Sequence, residues 1–319
     1  MCPLRLVSRL FLFNEPEVDP LLRSQRVINR TRIPAIASYI VNHPDSYVFS
    51  SLTVSIDQIP QFTPASPGLD CYNLGTLKIP MAARFIVNDG QHRRAGVEAA
   101  LKMKPDIGNE TISIVFFVDE GLKRSQQMFS DLNRYNIRPT ESLNILYDTR
   151  DPIAEISRRL IECIPVFKGF TEIEKSTISN RSSKVFTLSG IYRGTFELLE
   201  GCTHDDKLKL ATEFWVCVSG YLQEWHAVIN GDMTAGSLRR DYIHAHAIFL
   251  LAIGKIGRIL TNSNKNWKDA LSKLGEINWH RTNPLWEGRI IIGGKISFSR
   301  NNLNELVDEL MGQIICSQK

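Results

Sequence analysis

The stretch Phe85-Ile-Val-Asn-Asp-Gly-Gln-His-Arg-Arg-Ala-Gly-Val-Glu-Ala-Ala100 limits the possible folds more than any other part of the chain. A short β-branched and aromatic run leads into Asp89-Gly90, and helix-forming residues follow as far as Met103, just ahead of Pro105. The first part reads as a strand, the Asp-Gly pair as a turn, and the segment stopped by proline as a helix. Thr111-Ile-Ser-Ile-Val-Phe-Phe-Val118 is then an apolar run of strand length, expected to lie buried beside the first strand. Strand, turn, helix and strand make a βαβ-like unit, with the charged residues of the stretch at its first turn.

The alternation extends toward the N-terminus, where 33–41 reads as a helix and 47–55 as a strand, with a Pro/Gly-rich loop or hairpin over 59–75. From Lys123 onward the pattern is helical: 123–133, a helix led by Pro139, then 153–164, 188–199, 207–229, 237–260 and 302–315. The expected fold class is α/β, with an α/β domain over 1–148 and a helical domain over 149–319. Apolar residues at 43% and charged residues at 23% exclude a disordered chain. The longest strongly apolar run, 245–254, is too short to span a bilayer, and Arg5 and Arg9 interrupt the apolar N-terminus. No membrane partner is expected, and the cytoplasm is the expected location. The six cysteines show no metal-ligand spacing and read as structural thiols. His244 and His246, two apart on a helix, are not expected to form a chelate, and most of the tryptophans are expected in the core.

A glycine turn followed by a helix start offers free amides and a positive helix end, which suits an anion. Arg93 and Arg94 in the first helical turn oppose that end unless an anion is held there, and guanidinium forks match phosphate oxygens. Phosphate binding by Gly90, Gln91, His92, Arg93 and Arg94 is one reading. The other is a self-paired turn in which Asp89 caps the helix and the arginines meet local carboxylates. Asp89 is also a candidate catalytic or metal-binding carboxylate, with His92 as its candidate catalytic partner. No Walker-type loop occurs, so any nucleotide site must use this turn.

Positive charge gathers in two further places. Arg23, Arg26, Arg30 and Arg32 fall between Leu22 and Val41 with no acid among them, and on a helix the first three share one face. Arg23, Arg26 and Arg30, together with Arg239 and Arg240, are candidate DNA-phosphate contacts. Solvated faces, or a helix start with local ion pairs, are the alternative.

Asp89-Gly-Gln-His-Arg93 is the signature of DGQHR-domain proteins, and the chain resembles the ParB/sulfiredoxin-like fold. Gly90-Gln-His-Arg-Arg94, followed by Ala99-Ala100, is similar to the Gly-Glu-Arg-Arg type motif of ParB-like proteins, whose loop and helix start hold nucleotide phosphates. Asn133-Arg-Tyr-Asn-Ile-Arg-Pro-Thr-Glu141 is similar to the pattern that closes that nucleotide site, with Ser130-Asp131 where the pattern usually has Glu-Asn. The resemblance implies a nucleotide-binding role for Asn133 and Arg134. Gln25-Arg26, 47–53, 184–189, 240–244 and 286–289 narrow the resemblance to the DndB family, over nearly the whole chain. It implies a DNA-binding repressor of DNA phosphorothioate modification genes, acting on double-stranded promoter DNA as a homo-oligomer. ATP or another nucleotide with magnesium is the implied cofactor. An enzyme that hydrolyses a nucleotide or nicks DNA at Asp89 and His92 is the alternative.

Overall fold

The strand expected near Phe85 forms as Phe85–Asp89 and pairs antiparallel with Leu52–Ile56, Val87 opposite Val54. Ile114–Val118 pairs with the other side of Leu52–Ile56 and runs parallel to it. Leu52–Ile56 is therefore the middle strand of three, and Phe85–Asp89 and Ile114–Val118 are not neighbours as the sequence suggested. Burial gives the reason. Leu52, Val54 and Ile56 are wholly buried on one face and Thr53 and Ser55 are buried on the other, as a central strand requires. Val115, Phe117 and Val118 remain exposed, which an edge strand permits. An apolar run marks a strand without fixing its burial or its neighbour.

The computed structural model describes residues 1–11, 28–66, 72–119, 121–134, 138–204, 206–263 and 266–315. Arg23 and Arg26 lie outside the described residues. The chain divides into two compact units, Met1–Ile137 and Arg138–Lys319. In the first, helices α1 (Leu4–Leu10), α2 (Ile33–Asn42), α3 (Gln91–Met103) and α4 (Leu122–Arg134) accompany the sheet. Leu4, Val7, Ala37, Ile40, Val97 and Ala100 bring apolar stripes of α1, α2 and α3 onto Leu52, Val54 and Val87. Phe11 meets Phe85 edge-on at 5.6 Å between ring centroids, which docks the N-terminal segment on the sheet. The region expected as a loop or hairpin contains a hairpin, Gln61–Pro64 with Gly75–Lys78.

The second unit is helical: α5 (Glu141–Tyr147), α6 (Pro152–Cys163), α7 (Leu188–Leu199), α8 (Lys207–Tyr221), α9 (Gln223–Asn230), α10 (Ala235–Asp241), α11 (Ala247–Asn262), α12 (Trp267–Leu271) and α13 (Arg300–Ile315). Side-chain caps start several of them: Thr140, Asp151, Thr187, Asp206 and Thr234 each accept a backbone N–H from the following turn. The helix α5 belongs to this unit, where Arg158 donates to the Ile145 and Asp148 carbonyls at 2.6 and 2.8 Å. The boundary expected at 148 lies one helix further along the chain. Helices α7 and α11 touch backbone to backbone, since a Cβ added at Gly254 would lie 2.1 Å from the Gly194 carbonyl oxygen.

Two long helices expected from apolar periodicity are broken. The expected 207–229 helix turns extended at Leu222 between α8 and α9. The expected 237–260 helix is interrupted over Tyr242–His246, where Tyr242 is extended and bridges His280, and the Ile243 amide donates to the Trp279 carbonyl at 3.1 Å. The apolar core of this unit holds Trp215, Trp225, Trp279 and Trp286, all fully or almost fully buried. Cys2, Cys163, Cys202 and Cys217 are free thiols. Among the described residues no helix is long and apolar enough to cross a membrane.

Candidate functional site

The turn at the end of Phe85–Asp89 is built around Gly90, which has φ 102° and serves as the N-cap of α3. A Cβ at this position would lie 2.4 Å from Leu52 Cδ2, so both conformation and space select glycine. Buried Gln91 donates through Nε2 to the carbonyls of Val87 and Asn88 at 3.0 and 2.9 Å, latching the helix start to the strand end. Arg93 Nη1 donates to the Ser50 and Ser51 carbonyls at 2.6 and 2.9 Å and to Ser50 Oγ, and Nη2 ion-pairs with Asp89. Arg94 Nε donates to the Phe11 carbonyl at 2.5 Å, Nη2 to the Ser8 carbonyl at 3.2 Å, and Nη1 pairs with Glu98 at 3.2 Å. His92 Nε2 accepts the Asn29 N–H at 2.9 Å, which puts the ring proton of the neutral imidazole on Nδ1.

These contacts make the turn a brace. It ties together the end of α1, the residues leading into the central strand, and the Arg30–Arg32 3₁₀ turn that precedes α2. Asp89 makes no side-chain cap; its carboxylate faces Arg93 instead. The side chains of Arg93 and Arg94 are only 16% and 13% exposed, and both meet local carboxylates. Arg30 and Arg32 differ: both are exposed, and neither has a carboxylate partner among the described residues. Asn29 holds their turn by accepting the Thr31 N–H at 3.1 Å. Asn133 and Arg134 sit on the last turn of α4, where the Asn133 amide donates to the Phe129 carbonyl at 2.7 Å and Arg134 is exposed. Another residue of α4, Met128, takes an N–H from Asn88 at 3.5 Å.

In the second unit Arg239 reaches the carbonyls of Ser179, Asn180, Ser182 and Lys184, and burial holds its pKa below the ordinary value. Arg240 is exposed and lies against Asp241, with bonds of 2.9 and 2.8 Å. His244 is wholly buried. Trp225 Nε1 donates to its Nδ1 at 3.2 Å, so the proton sits on Nε2 and is donated to Glu224 at 3.1 Å. Burial pushes the His244 pKa down, against the pull of Glu224, and its hydrogen bond in turn lowers the pKa of Glu224. A second proton on Nδ1 would face the indole N–H, a further reason for His244 to stay neutral. His246 donates to the Arg239 carbonyl at 2.9 Å, and burial lowers its pKa too. Among the described residues no group of three or more His, Cys, Asp or Glu side chains is arranged to hold a metal ion.

A family model described as DndB: DNA-sulfur modification-associated matches residues 1–315. The chain belongs to the DndB family. Comparison with curated proteins and with solved structures gives no match.

This DndB-family chain thus brings Asp89 to Arg94 together at one turn, with Arg30 beside it through Asn29, while Arg239 and Arg240 belong to the other unit. Sequence reasoning missed the roles of Asn29, of Glu224, and of Arg281, which donates to the Arg240 and Gly294 carbonyls. Asn29 could be found from its place two residues before Thr31, a side-chain turn signal. Glu224 and Arg281 have no local signature, because their partners are far away in sequence or are backbone carbonyls.

Proposed function

We propose that this protein is a cytoplasmic regulator that binds double-stranded DNA as a homo-oligomer and represses the genes of DNA-sulfur modification from their promoter region. Membership of the DndB family supports the link to DNA-sulfur modification. The observation that carries the DNA reading is the bond from Asn29 N–H to His92 Nε2. It holds the turn bearing exposed Arg30 and Arg32 against the glycine turn, so two guanidinium groups with no carboxylate partner among the described residues stand on a braced element. Such groups suit phosphate contacts, which position a protein on a duplex without reading its sequence. Nucleotide binding at the Asp89 turn requires Arg93 and Arg94 to exchange their carbonyl and carboxylate partners for phosphate oxygens, and the proposal does not depend on it.

Gel-shift titrations at low salt with the promoter duplex of the modification genes and an unrelated duplex of equal length test the reading. Retardation of the promoter duplex at lower protein concentration is the expected result. No retardation of either duplex overturns DNA binding, and equal retardation overturns the promoter-specific part.

A further inference from the structure

A cavity of about 760 Å³ opens in the helical unit, walled by the 176–187 loop and the starts of α7, α10 and α11. Three arginines line it, Arg239, Arg240 and Arg281, and no carboxylate does among the described residues. The hydrogen-bond partners of Arg239 and Arg281 are peptide carbonyls, which satisfy donors but cancel no charge: Arg281 donates to Arg240 and Gly294 at 3.0 and 2.8 Å. Asp241 is bound by Arg240 through Nε and Nη2, and these bonds, with the nearby charges of Arg240, His280 and Arg281, hold its carboxyl below its ordinary pKa. Partly buried Arg239 is hydrogen-bonded to carbonyls alone, so the wall keeps a net positive charge that an anion would complete.

Geometry adds to charge at one corner. A smaller recess of about 360 Å³ shares His246, Ala247 and Arg281 with the cavity and adds exposed Lys295, again with no carboxylate in its wall. The shared corner is the start of α11, a 16-residue helix whose N-cap, His246, makes no side-chain cap, so the helix brings its positive end there as well. The rest of the cavity is mixed, with hydroxyls of Thr177 and Ser237 and apolar Ile178, Val185 and Leu250. Its size is that of sites for nucleotide-sized molecules.

We propose that this cavity binds a small phosphate-bearing organic anion of nucleotide size, its phosphate held between Arg281, Lys295 and the start of α11, and its organic part against the apolar wall. The site is separate from the Arg30 and Arg32 contact and does not depend on DNA binding.

Calorimetric titration and thermal shift of the full chain with AMP, adenosine, inorganic phosphate and a short DNA duplex test the proposal. AMP binds and raises the melting temperature, and adenosine does not. Loss of one charge-assisted contact weakens AMP binding about tenfold or more in Arg281→Gln. The exposed-residue variant Lys295→Gln weakens it in the same direction without loss of a structural bond, and Arg30→Ala leaves it unchanged. Equal binding of AMP and adenosine, or no AMP binding at millimolar concentration, overturns the proposal. So does AMP affinity that both the Arg281 and the Lys295 variants leave intact, or a loss in those variants of duplex binding alone, which makes the cavity a DNA backbone contact.

Discussion

In the first unit Arg93 and Arg94 each bond a carboxylate, Asp89 and Glu98, as well as peptide carbonyls; in the second, the hydrogen bonds of Arg239 and Arg281 among the described residues go to carbonyls. The residue type is the same and the consequence is opposite. Where a carboxylate answers the guanidinium, the charge is cancelled and the side chain becomes a structural tie. Where only carbonyls answer it, geometry is fixed and the charge is not cancelled. A dense cationic motif in sequence therefore does not say whether its charges are cancelled, and the 239–246 segment, less conspicuous in sequence, supplies two of the three arginines around the cavity of the second unit.

Removal of the ties tests this contrast most strongly. Arg239→Gln strips the loop 179–184 of a charged donor to four carbonyls, and a loss of about 3 kcal/mol is expected. Urea unfolding followed by tryptophan fluorescence measures it in the second unit alone, since all the tryptophans lie between Trp215 and Trp286. Arg94→Gln frees the Phe11 and Ser8 carbonyls and leaves Glu98 with Lys102 alone, at a cost of about 2 kcal/mol to the first unit. Faster amide hydrogen exchange over α1 is the expected sign, with the second unit unaffected; unchanged exchange there means that Arg94 is no brace.

Acid gives a smaller effect, with a sign fixed by burial. His244 and His246 have folded pKa values below the ordinary value of about 6.5. As pH falls through that value the unfolded chain takes up protons that the folded chain refuses. Stability is complete above the ordinary value and declines below it, by up to about 1.4 kcal/mol per pH unit for each histidine. Glu224, whose pKa is lowered in the fold, adds a loss in the same direction at still lower pH. A tryptophan-monitored urea midpoint that does not move between pH 7.5 and 5.5 contradicts the neutral, buried assignment.

Local signals were legible in the sequence and long-range ones were not. The helix Gln91–Met103 is legible because Asp-Gly and Pro105 punctuate it, and Leu188–Leu199 because its apolar residues recur with helical period; the structure adds the Thr187 cap. The breaks at Leu222 and at Tyr242–His246 were not legible, since apolar periodicity continues through both. The second break exists because Tyr242 and Ile243 pair with His280 and Trp279, far along the chain. The neighbour of Ile114–Val118 was misjudged for the same reason: sheet order is set by which strand is buried on both faces, a property of the whole unit. At the candidate site the residue set Asp89 to Arg94 and the option of local carboxylate partners are visible in the sequence, but the carbonyl partners of the arginines are not, because carbonyls such as those of Ser8, Phe11 and Ser50 carry no sequence signature.

The central claim is that exposed Arg30 and Arg32, held in place by the glycine turn, contact DNA phosphates. Fluorescence anisotropy of a labelled promoter duplex, titrated at several salt concentrations with wild type and with the Arg30→Ala, Arg32→Ala double variant, tests it directly. Affinity falls as salt rises for the wild type, and the double variant binds more weakly with a log–log salt slope shallower by about 2. An unchanged affinity and slope in the double variant contradicts the account.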